Sequence, residues 1–217
     1  MALFKHFFHQ AISNYVLLNP GTQDSFIENR YHIFRKSLHP WVLQSLAECY
    51  NQLLVSDALK FGDPQSERWI AYNDRCARFI HYQLTDMVRT IIAHNARPSY
   101  TYFGAYKEGA KLQPHTDRHQ CEFTISLNIE NRPNDEPWTL SLGRKPLFEK
   151  DFDYPGKNPE PMPPESEIVD ADLLAGDGLL FMGRHLVHFR RGALKQGGRT
   201  LQVFMHYVQE NFNRTLN

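Results

Sequence analysis

Several features that would assign this chain to a common class are missing from its sequence. Lysine plus arginine and aspartate plus glutamate balance at 24 each, so no excess charge is present to attract nucleic acid or an anionic membrane surface. No apolar run approaches the roughly 18 residues that a membrane-spanning helix requires. The sequence therefore predicts no nucleic-acid partner and no membrane association.

Cysteine is also scarce. Cys49, Cys76 and Cys121 are the three cysteines, and they are widely separated, which argues against a disulfide framework and against a thiolate zinc site. Near the first residue, Lys5 and His6 interrupt the apolar residues, so no secretion signal is predicted. These absences favour a cytoplasmic protein with reduced thiols.

Hydrophobic periodicity divides the chain into two parts. Apolar residues recur three or four apart over 37–60 and again over 73–92, which predicts two amphipathic helices. After Pro98 the pattern changes to alternation, and residues 122–128 are expected to form a strand that is buried on one face. Further strands are predicted at 138–142, 179–182 and 200–208.

The order of these elements predicts one α+β domain over 1–217, because strands follow helices in a chain of single-domain length. We expect a helical N-terminal part at 1–98 that braces a β-core at 99–210. Residues 146–164 are rich in proline, aspartate, glycine and glutamate and have no periodicity. This segment is predicted to be irregular, as either a lid or a surface loop.

The most informative short motif is His115-Thr116-Asp117. In extended backbone, His115 and Asp117 lie on the same face and can converge on one ion. Two imidazoles and one carboxylate on one face of Fe(II) leave three positions open, as in non-heme oxygenases. A motif this short also occurs as a solvated turn after a proline such as Pro114. It therefore indicates a metal site only together with a third ligand.

Four later histidines are candidates for that third ligand. His119 is expected to belong to the turn, and His206 is expected at the edge of a packed strand. His185 and His188 are separated by an odd number of residues, so they face opposite sides of a continuous strand. We prefer His188, because a hairpin follows it and leads to Arg199, and His185 stays as the alternative.

Arg199 is the candidate cation for a cosubstrate that carries a carboxylate. The glycine-containing hairpin at 195–198 would return it to the same pocket on the neighbouring strand, and a guanidinium binds a carboxylate through a planar fork. The alternative is a hairpin arginine in solvent. Arg190 and Arg191 are interpreted either as contacts to an anionic substrate or as a solvated face.

Taken together in order and spacing, these motifs resemble those of the iron- and 2-oxoglutarate-dependent dioxygenases, in particular the branch similar to the prolyl 4-hydroxylase catalytic domain. The resemblance covers about half of the chain, from Tyr100 to Val208. Its elements are Tyr106-Lys107-Glu108-Gly109, His115-Thr116-Asp117, Cys121 to Asn128, Gly176 to Phe181, His188, and Gly198-Arg199 leading into Phe204.

The resemblance implies a double-stranded β-helix, or jelly-roll, core. The implied iron ligands are His115, Asp117 and His188. In the same way, Arg199 would pair with the distal carboxylate of 2-oxoglutarate, Tyr106 would hydrogen-bond this cosubstrate, and Ser126 is a further candidate for the pocket.

The cofactors implied by the resemblance are Fe(II) and 2-oxoglutarate, with dioxygen as co-reactant and ascorbate as a reductant. The implied reaction is hydroxylation of an unactivated C–H bond in a small molecule or an amino-acid or peptide substrate. A carboxylate at Asp117 occupies the position that related halogenases are expected to leave for chloride, so hydroxylation, desaturation or ring chemistry is favoured over halogenation.

Two other functions fit the same residues. One is a metal enzyme on a similar barrel that uses no oxoacid, and the other is a non-catalytic jelly-roll scaffold whose metal motif is structural. The 146–164 region and the lack of a recognisable peptide-binding module depart from the prolyl hydroxylases. The sequence therefore predicts a class of chemistry without identifying a substrate.

Overall fold

A computed structural model of the protein describes residues 21–63, 65–147 and 160–216. Four α-helices lie in the first half of the described chain, and strands dominate the second half. The helices are α1 (Thr22–Asn29), α2 (Pro40–Val55), α3 (Arg75–Gln83) and α4 (Thr85–Ile92). The strands are β1 (Tyr31–Phe34), β2 (Lys60–Phe61), β3 (Arg68–Tyr72), β4 (Ala96–Lys107), β5 (Phe123–Arg132), β6 (Leu140–Gly143), β7 (Ile168–Ala171), β8 (Gly178–Phe181), β9 (His188–Phe189) and β10 (Arg199–Gln209).

The strands form two sheets. The main sheet has seven strands in the order β1-β8-β5-β10-β4-β3-β2, and the small sheet has three in the order β7-β6-β9. Neighbouring strands in both sheets run antiparallel. A single bridge between His115 and His188 continues the small sheet beyond β9. The described chain thus combines helices with two antiparallel sheets, as the α+β prediction requires.

The two faces of the main sheet have different neighbours. On one face, Ile125 and Leu127 of β5 and Val203 of β10 share a hydrophobic core with the helices. On the other face, Leu179 and Phe181 of β8 pack against β6 of the small sheet. Directly paired residues in a sheet point to the same face. The polar residues Thr124 and Ser126, which pair with Phe181 and Leu179, therefore face the small sheet.

The predicted helices are present, with one interruption. The first corresponds to α2, which starts with Pro40 in its first turn. The single helix predicted over 73–92 is divided into two, because Leu84 separates α3 from α4. The hydroxyl of Thr85 donates to the carbonyl of His81, a bond that tends to bend helices. Asp74 caps α3, since its carboxylate accepts from the Ala77 N–H at 2.9 Å.

The predicted strands at 122–128, 138–142, 179–182 and 200–208 correspond to β5, β6, β8 and β10, with shifted ends. Two expectations are corrected. The part at 1–98 is not only helical, because β1, β2 and β3 add to the main sheet; these strands are too short for periodicity to reveal them. The strand over 122–128 is buried on both faces, since Thr124, Ser126 and Asn128 are as buried as their apolar neighbours.

The predicted irregular segment at 146–164 falls mainly on residues 148–159, which lie outside the described residues. Within the described ranges, no helix combines the length and the apolar character that crossing a membrane demands.

Candidate metal centre

Three side chains with metal-binding groups meet between the two sheets. His115 and Asp117 lie in the connection from β4 to β5, and His188 begins β9. Two backbone hydrogen bonds join His115 to His188, at 3.1 and 2.8 Å, and the Asp117 N–H donates to the Gly183 carbonyl at 2.9 Å. One potential ligand atom from each of the three side chains lies within 4.8 Å of the others. The fold thus brings His188, the third ligand preferred from the sequence, close to His115 and Asp117.

The hydrogen bonds of the two imidazoles leave suitable nitrogens free for an ion. The Nδ1 atoms of His115 and His188 lie 2.8 and 2.9 Å from the backbone carbonyls of Gln113 and Leu186. A carbonyl only accepts, so Nδ1 carries a proton and Nε2 is the nitrogen that an ion would take. His188 Nε2 lies 3.6 Å from Asp117 Oδ1. Histidines that bind metals are commonly held in this way through their second nitrogen.

The protonation states of the cluster also suit a metal ion. Burial, followed by the neighbouring His188, lowers the pKa of His115 to about 3. Burial alone would raise the pKa of Asp117, but the His188 imidazole outweighs it and holds that pKa well below its usual range. At neutral pH the cluster therefore offers a neutral His115 imidazole and an ionised carboxylate, the forms in which these groups bind metals.

The remaining histidine candidates lie elsewhere or have other contacts. His185 lines a separate, largely apolar cavity together with Phe26 and Met182, and its Nδ1 lies 2.8 Å from the Leu147 carbonyl. His119 lies beside Arg214. His206 is buried near the C-terminal end of β10, the central strand of the main sheet.

His206 lies next to the cluster. Its Nδ1 is 3.0 Å from the Thr124 hydroxyl, which itself lies 2.9 Å from Asp117 Oδ2. Asp117, Cys121 and His206 form a second group whose potential ligand atoms lie within 4.8 Å of one another. Burial lowers the pKa of His206 to about 4. No local pattern could reveal this contact, since 89 residues separate His206 from Asp117.

Arg199 does not lie where the sequence led us to expect it. It is two residues before Leu201, which belongs to the core between the main sheet and the helices, so its side chain starts on the helix-facing side of β10. There its guanidinium donates to Asn51 on α2 and forms an ion pair with Glu130 at 2.8 Å. The expectation that the hairpin returns Arg199 to the metal pocket is therefore wrong.

A different arginine occupies the space between the sheets. Arg190 follows His188 by two residues and is only 6% exposed. Its carbon Cζ lies 4.6 Å from the centre of the Trp138 ring, and its Nη2 donates to the Gln202 side chain at 3.1 Å. Its Nε and Nη1 atoms are buried and have no hydrogen-bond partner among the residues that the structure describes. Within the described residues, no carboxylate forms an ion pair with it.

Arg190 carries its charge at neutral pH although it is buried. Burial lowers the pKa of its guanidinium to about 10, which is still far above neutrality. Sequence reasoning could have found this residue, because an even separation from His188 places both side chains on the same face of a strand.

Tyr106 and Ser126 also face the space between the sheets. Tyr106 is buried, its hydroxyl accepts from Arg68, and its ring packs edge-on against Trp138 at a centroid distance of 5.2 Å. The charge of Arg68 is balanced by Asp63, at 2.5 Å. Ser126 is fully buried, and its hydroxyl has no hydrogen-bond partner in the described part of the chain. Among the described residues, the space thus contains a cation without an ion-pair partner, Arg190, and donors of Arg190 and Ser126 without hydrogen-bond partners.

Comparisons with known proteins agree on the fold. No protein-family model matches the sequence, and no curated protein shows significant sequence similarity to it. Solved structures do match. A prolyl-4-hydroxylase from Pseudomonas putida is 12% identical with a TM-score of 0.64, over 88% of this chain and 98% of that one.

Two further solved structures also match. The carbocyclase SnoK of nogalamycin biosynthesis, described as a non-heme α-ketoglutarate-dependent enzyme, is 10% identical with a TM-score of 0.69, over 88% of this chain and 84% of that one. HygX from Streptomyces hygroscopicus, with nickel, 2-oxoglutarate and hygromycin B bound, is 15% identical with a TM-score of 0.60, over 90% and 89%. The chain shares the fold of iron- and 2-oxoglutarate-dependent oxygenases.

Proposed function

We propose that this protein is an Fe(II)- and 2-oxoglutarate-dependent dioxygenase with a double-stranded β-helix core, and that its described residues belong to one catalytic domain. The observation that carries the proposal is the convergence of His115, Asp117 and His188 between the two sheets, with a free nitrogen on each imidazole. Two imidazoles and a carboxylate are the ligand set of non-heme Fe(II) oxygenases. The fold shared with such oxygenases supports the same conclusion.

The residues fit the two groups that this function requires. His115, Asp117 and His188 would hold the iron. Arg190 would bind the distal carboxylate of 2-oxoglutarate, because its two unsatisfied N–H groups and its unbalanced charge call for an anion in this buried space. We propose Arg190 for this role in place of Arg199, whose charge Glu130 already balances.

Two neighbours would orient the cosubstrate. Ser126 has a buried hydroxyl without a partner, which would hydrogen-bond a carboxylate oxygen. Tyr106 lies between Arg68, which donates to its hydroxyl, and Trp138, which packs against its ring. Its hydroxyl proton is therefore available for the cosubstrate while Arg68 fixes the position of the oxygen.

When bound, iron and 2-oxoglutarate would supply an oxidant strong enough to attack an unactivated C–H bond. The chain supplies position and a low-dielectric site. His188, Arg190 and Ser126 are each at most 6% exposed, so water has little access to the cosubstrate end of the pocket. We propose hydroxylation of a small molecule or of an amino-acid or peptide substrate as the reaction.

The test is succinate formation from 2-oxoglutarate by purified protein with Fe(II), ascorbate and air. We expect succinate from the wild type and none above background from Asp117→Ala. Asp170→Ala is a matched control, since Asp170 pairs with Arg191 at the surface. Metal binding without succinate, with or without candidate substrates, would instead favour a metal enzyme that uses no oxoacid. If the protein neither binds metal nor forms succinate, a non-catalytic scaffold would be favoured.

A further inference from the structure

A chain of side chains fixes the orientation of the Asp117 carboxylate. Thr124 Oγ1 lies 2.9 Å from Asp117 Oδ2 and 3.0 Å from His206 Nδ1. The ionised carboxylate can only accept, so the single hydroxyl proton of Thr124 points to it. Thr124 must then accept from His206, which places the imidazole proton on Nδ1. The result is a directed chain from His206 through Thr124 to Asp117.

This hydrogen-bonded series of side chains distinguishes the two oxygens of Asp117. Oδ2 is held by Thr124, whereas Oδ1 faces His188 Nε2 at 3.6 Å. Gly183 packs against the held oxygen so closely that an added Cβ would lie 2.3 Å from Oδ2 and 2.4 Å from Thr124 Oγ1. The backbone carbonyl of Gly183 also accepts from the Asp117 N–H. The carboxylate therefore cannot rotate without breaking this packing.

We propose that His206 and Thr124 are positioning residues that present Oδ1 of Asp117 to the metal ion, and that Gly183 is required because no side chain fits beside this chain. This inference rests on the proposed function, since it assumes that the cluster binds a metal. Hydrogen-bond partners behind a metal ligand typically contribute about 10–100-fold to metal affinity.

Paired variants separate orientation from packing. Thr124→Val keeps the shape but removes the hydroxyl, whereas Thr124→Ser keeps the hydroxyl. His206→Leu removes the donor, whereas His206→Asn keeps an N–H near the position of Nδ1. The measurement is calorimetric binding of Mn(II) alone, without 2-oxoglutarate, with thermal unfolding as the check on folding.

We expect Thr124→Val and His206→Leu to weaken Mn(II) binding about 10–100-fold, and both conservative variants to bind nearly as the wild type does. Gly183→Ala should weaken binding to a similar degree. Equal affinity in the wild type, Thr124→Val and His206→Leu would overturn the inference. If a variant at Thr124 or at His206 fails to fold, the two variants at the other position test the inference. A wild-type protein that binds no Mn(II) would instead reject the proposed metal site itself.

A separate observation concerns two cysteines outside this site. Cys49 of α2 and Cys76 of α3 are half-buried, and their sulfur atoms lie 3.6 Å apart. Their separation of 27 residues in the sequence hid this contact. A disulfide requires the sulfurs to approach to about 2.05 Å, so the two atoms would have to move about 1.5 Å closer. Such a bond would tie two of the helices that cover the main sheet.

We infer that Cys49 and Cys76 form a reversible disulfide under peroxide. One thiol attacks hydrogen peroxide, which cleaves the O–O bond, leaves a sulfenic acid and releases water. The second thiol then displaces the hydroxyl as another water, so two thiols are oxidised and one peroxide is reduced. Burial and the neighbouring Cys49 raise the pKa of Cys76 to about 11, so the reaction should accelerate at alkaline pH.

Peroxide treatment followed by peptide mass analysis tests this inference. We expect a linked pair of peptides that contain Cys49 and Cys76, a mass lower by two hydrogen atoms, and a rise in Tm of roughly 5–10 °C that dithiothreitol reverses. Cys121→Ser should respond in the same way, whereas Cys49→Ser should not. Peroxide-treated wild type without the linked peptides would overturn the inference. The result does not depend on metal or 2-oxoglutarate.

Discussion

The two faces of the main sheet are equally buried but differ in chemistry. On the face toward the helices, β5 and β10 present Ile125, Leu127 and Val203 to a continuous apolar core. On the face toward the small sheet, the same strands present polar side chains that are also buried. These are Thr124, Ser126, Asn128, Thr200, Gln202 and His206. The first face stabilises the fold, whereas the second is a polar interior with unsatisfied groups, as expected of a ligand site.

The two arginines show the same difference. Arg199 points to the helix side and is balanced by Glu130. Arg190 lies between the sheets; among the described residues no carboxylate forms an ion pair with it, and two of its nitrogens have no hydrogen-bond partner. A cation that is buried without a counter-ion is costly unless an anion joins it. We therefore propose that the helix-side face serves stability and that the face toward the small sheet binds the ligand.

The largest expected effect comes from removing a metal ligand. His188→Ala should reduce succinate formation to background, because the carboxylate and one imidazole alone hold the ion too weakly. The Tm of the metal-free variant should stay within a few degrees of the wild type, since His188 contributes little to the apolar core. Substantial succinate formation by this variant would mean that the ligands are wrongly assigned.

The next-largest expected effect is on the KM for 2-oxoglutarate, which should differ between variants of the two arginines. Arg190→Gln should raise the KM for 2-oxoglutarate about 100-fold, because a charge-assisted contact to the cosubstrate is lost and the ligand carboxylate loses its counter-charge. Arg199→Gln should leave this KM within about threefold of the wild type, since its partners Asn51 and Glu130 lie on the helix side. Steady-state succinate assays compare the two. A larger rise in this KM in Arg199→Gln than in Arg190→Gln would instead assign the binding of the distal carboxylate to Arg199.

Adjacent residues of β5 allow the two faces to be compared directly for stability. Leu127→Ala should lower the free energy of unfolding by about 2–5 kcal/mol, because it opens a cavity in the helix-side core. Ser126→Ala should change it by less than about 1 kcal/mol, since the hydroxyl has no partner to lose. Urea unfolding of the metal-free protein measures both. Similar losses of unfolding free energy in Leu127→Ala and Ser126→Ala would contradict the proposal that the helix-side face carries the stability.

The smallest expected effect is a pH dependence from the helix side. Burial lowers the pKa of His81 to about 3, below the value near 6.5 in the unfolded chain. Above pH 6.5 the histidine is neutral in both states. As the pH falls below 6.5 only the unfolded state takes up the proton, so stability decreases, by about 1–2 kcal/mol at pH 5. His81→Gln should flatten the fall in Tm over this range; an unchanged slope would show that His81 does not contribute.

The sequence was sufficient for the elements with strong periodicity. Alternation over β5 and β10 and the amphipathic pattern of α2 predicted their positions, because long elements carry many matching residues. Alternation could not show that the polar face of β5 is buried, since polar residues look the same in the sequence whether they face solvent or a ligand pocket. The short strands β1, β2 and β9 carry too few residues for a pattern.

The candidate site was predictable where local geometry suffices. His115 and Asp117 are two residues apart, and parity placed His185 and His188 on opposite sides of a strand. The preference for His188 rested on the expected return of the hairpin to Arg199, and that premise is wrong. The same parity argument applied to Arg190, but the expected hairpin drew attention to Arg199 instead. A one-residue difference in register decides which face of β10 a side chain takes. The contact of His206 with Thr124 depends on long-range strand pairing, which single-sequence reasoning does not supply.

The most direct test of the central claim is anaerobic calorimetric binding of 2-oxoglutarate to the Mn(II)-loaded protein. The account predicts one 2-oxoglutarate per chain, binding that is lost when Mn(II) is omitted or when His188 is replaced by alanine, and binding weakened about 100-fold in Arg190→Gln. Binding that is equally tight without metal, or unchanged in Arg190→Gln, would contradict it.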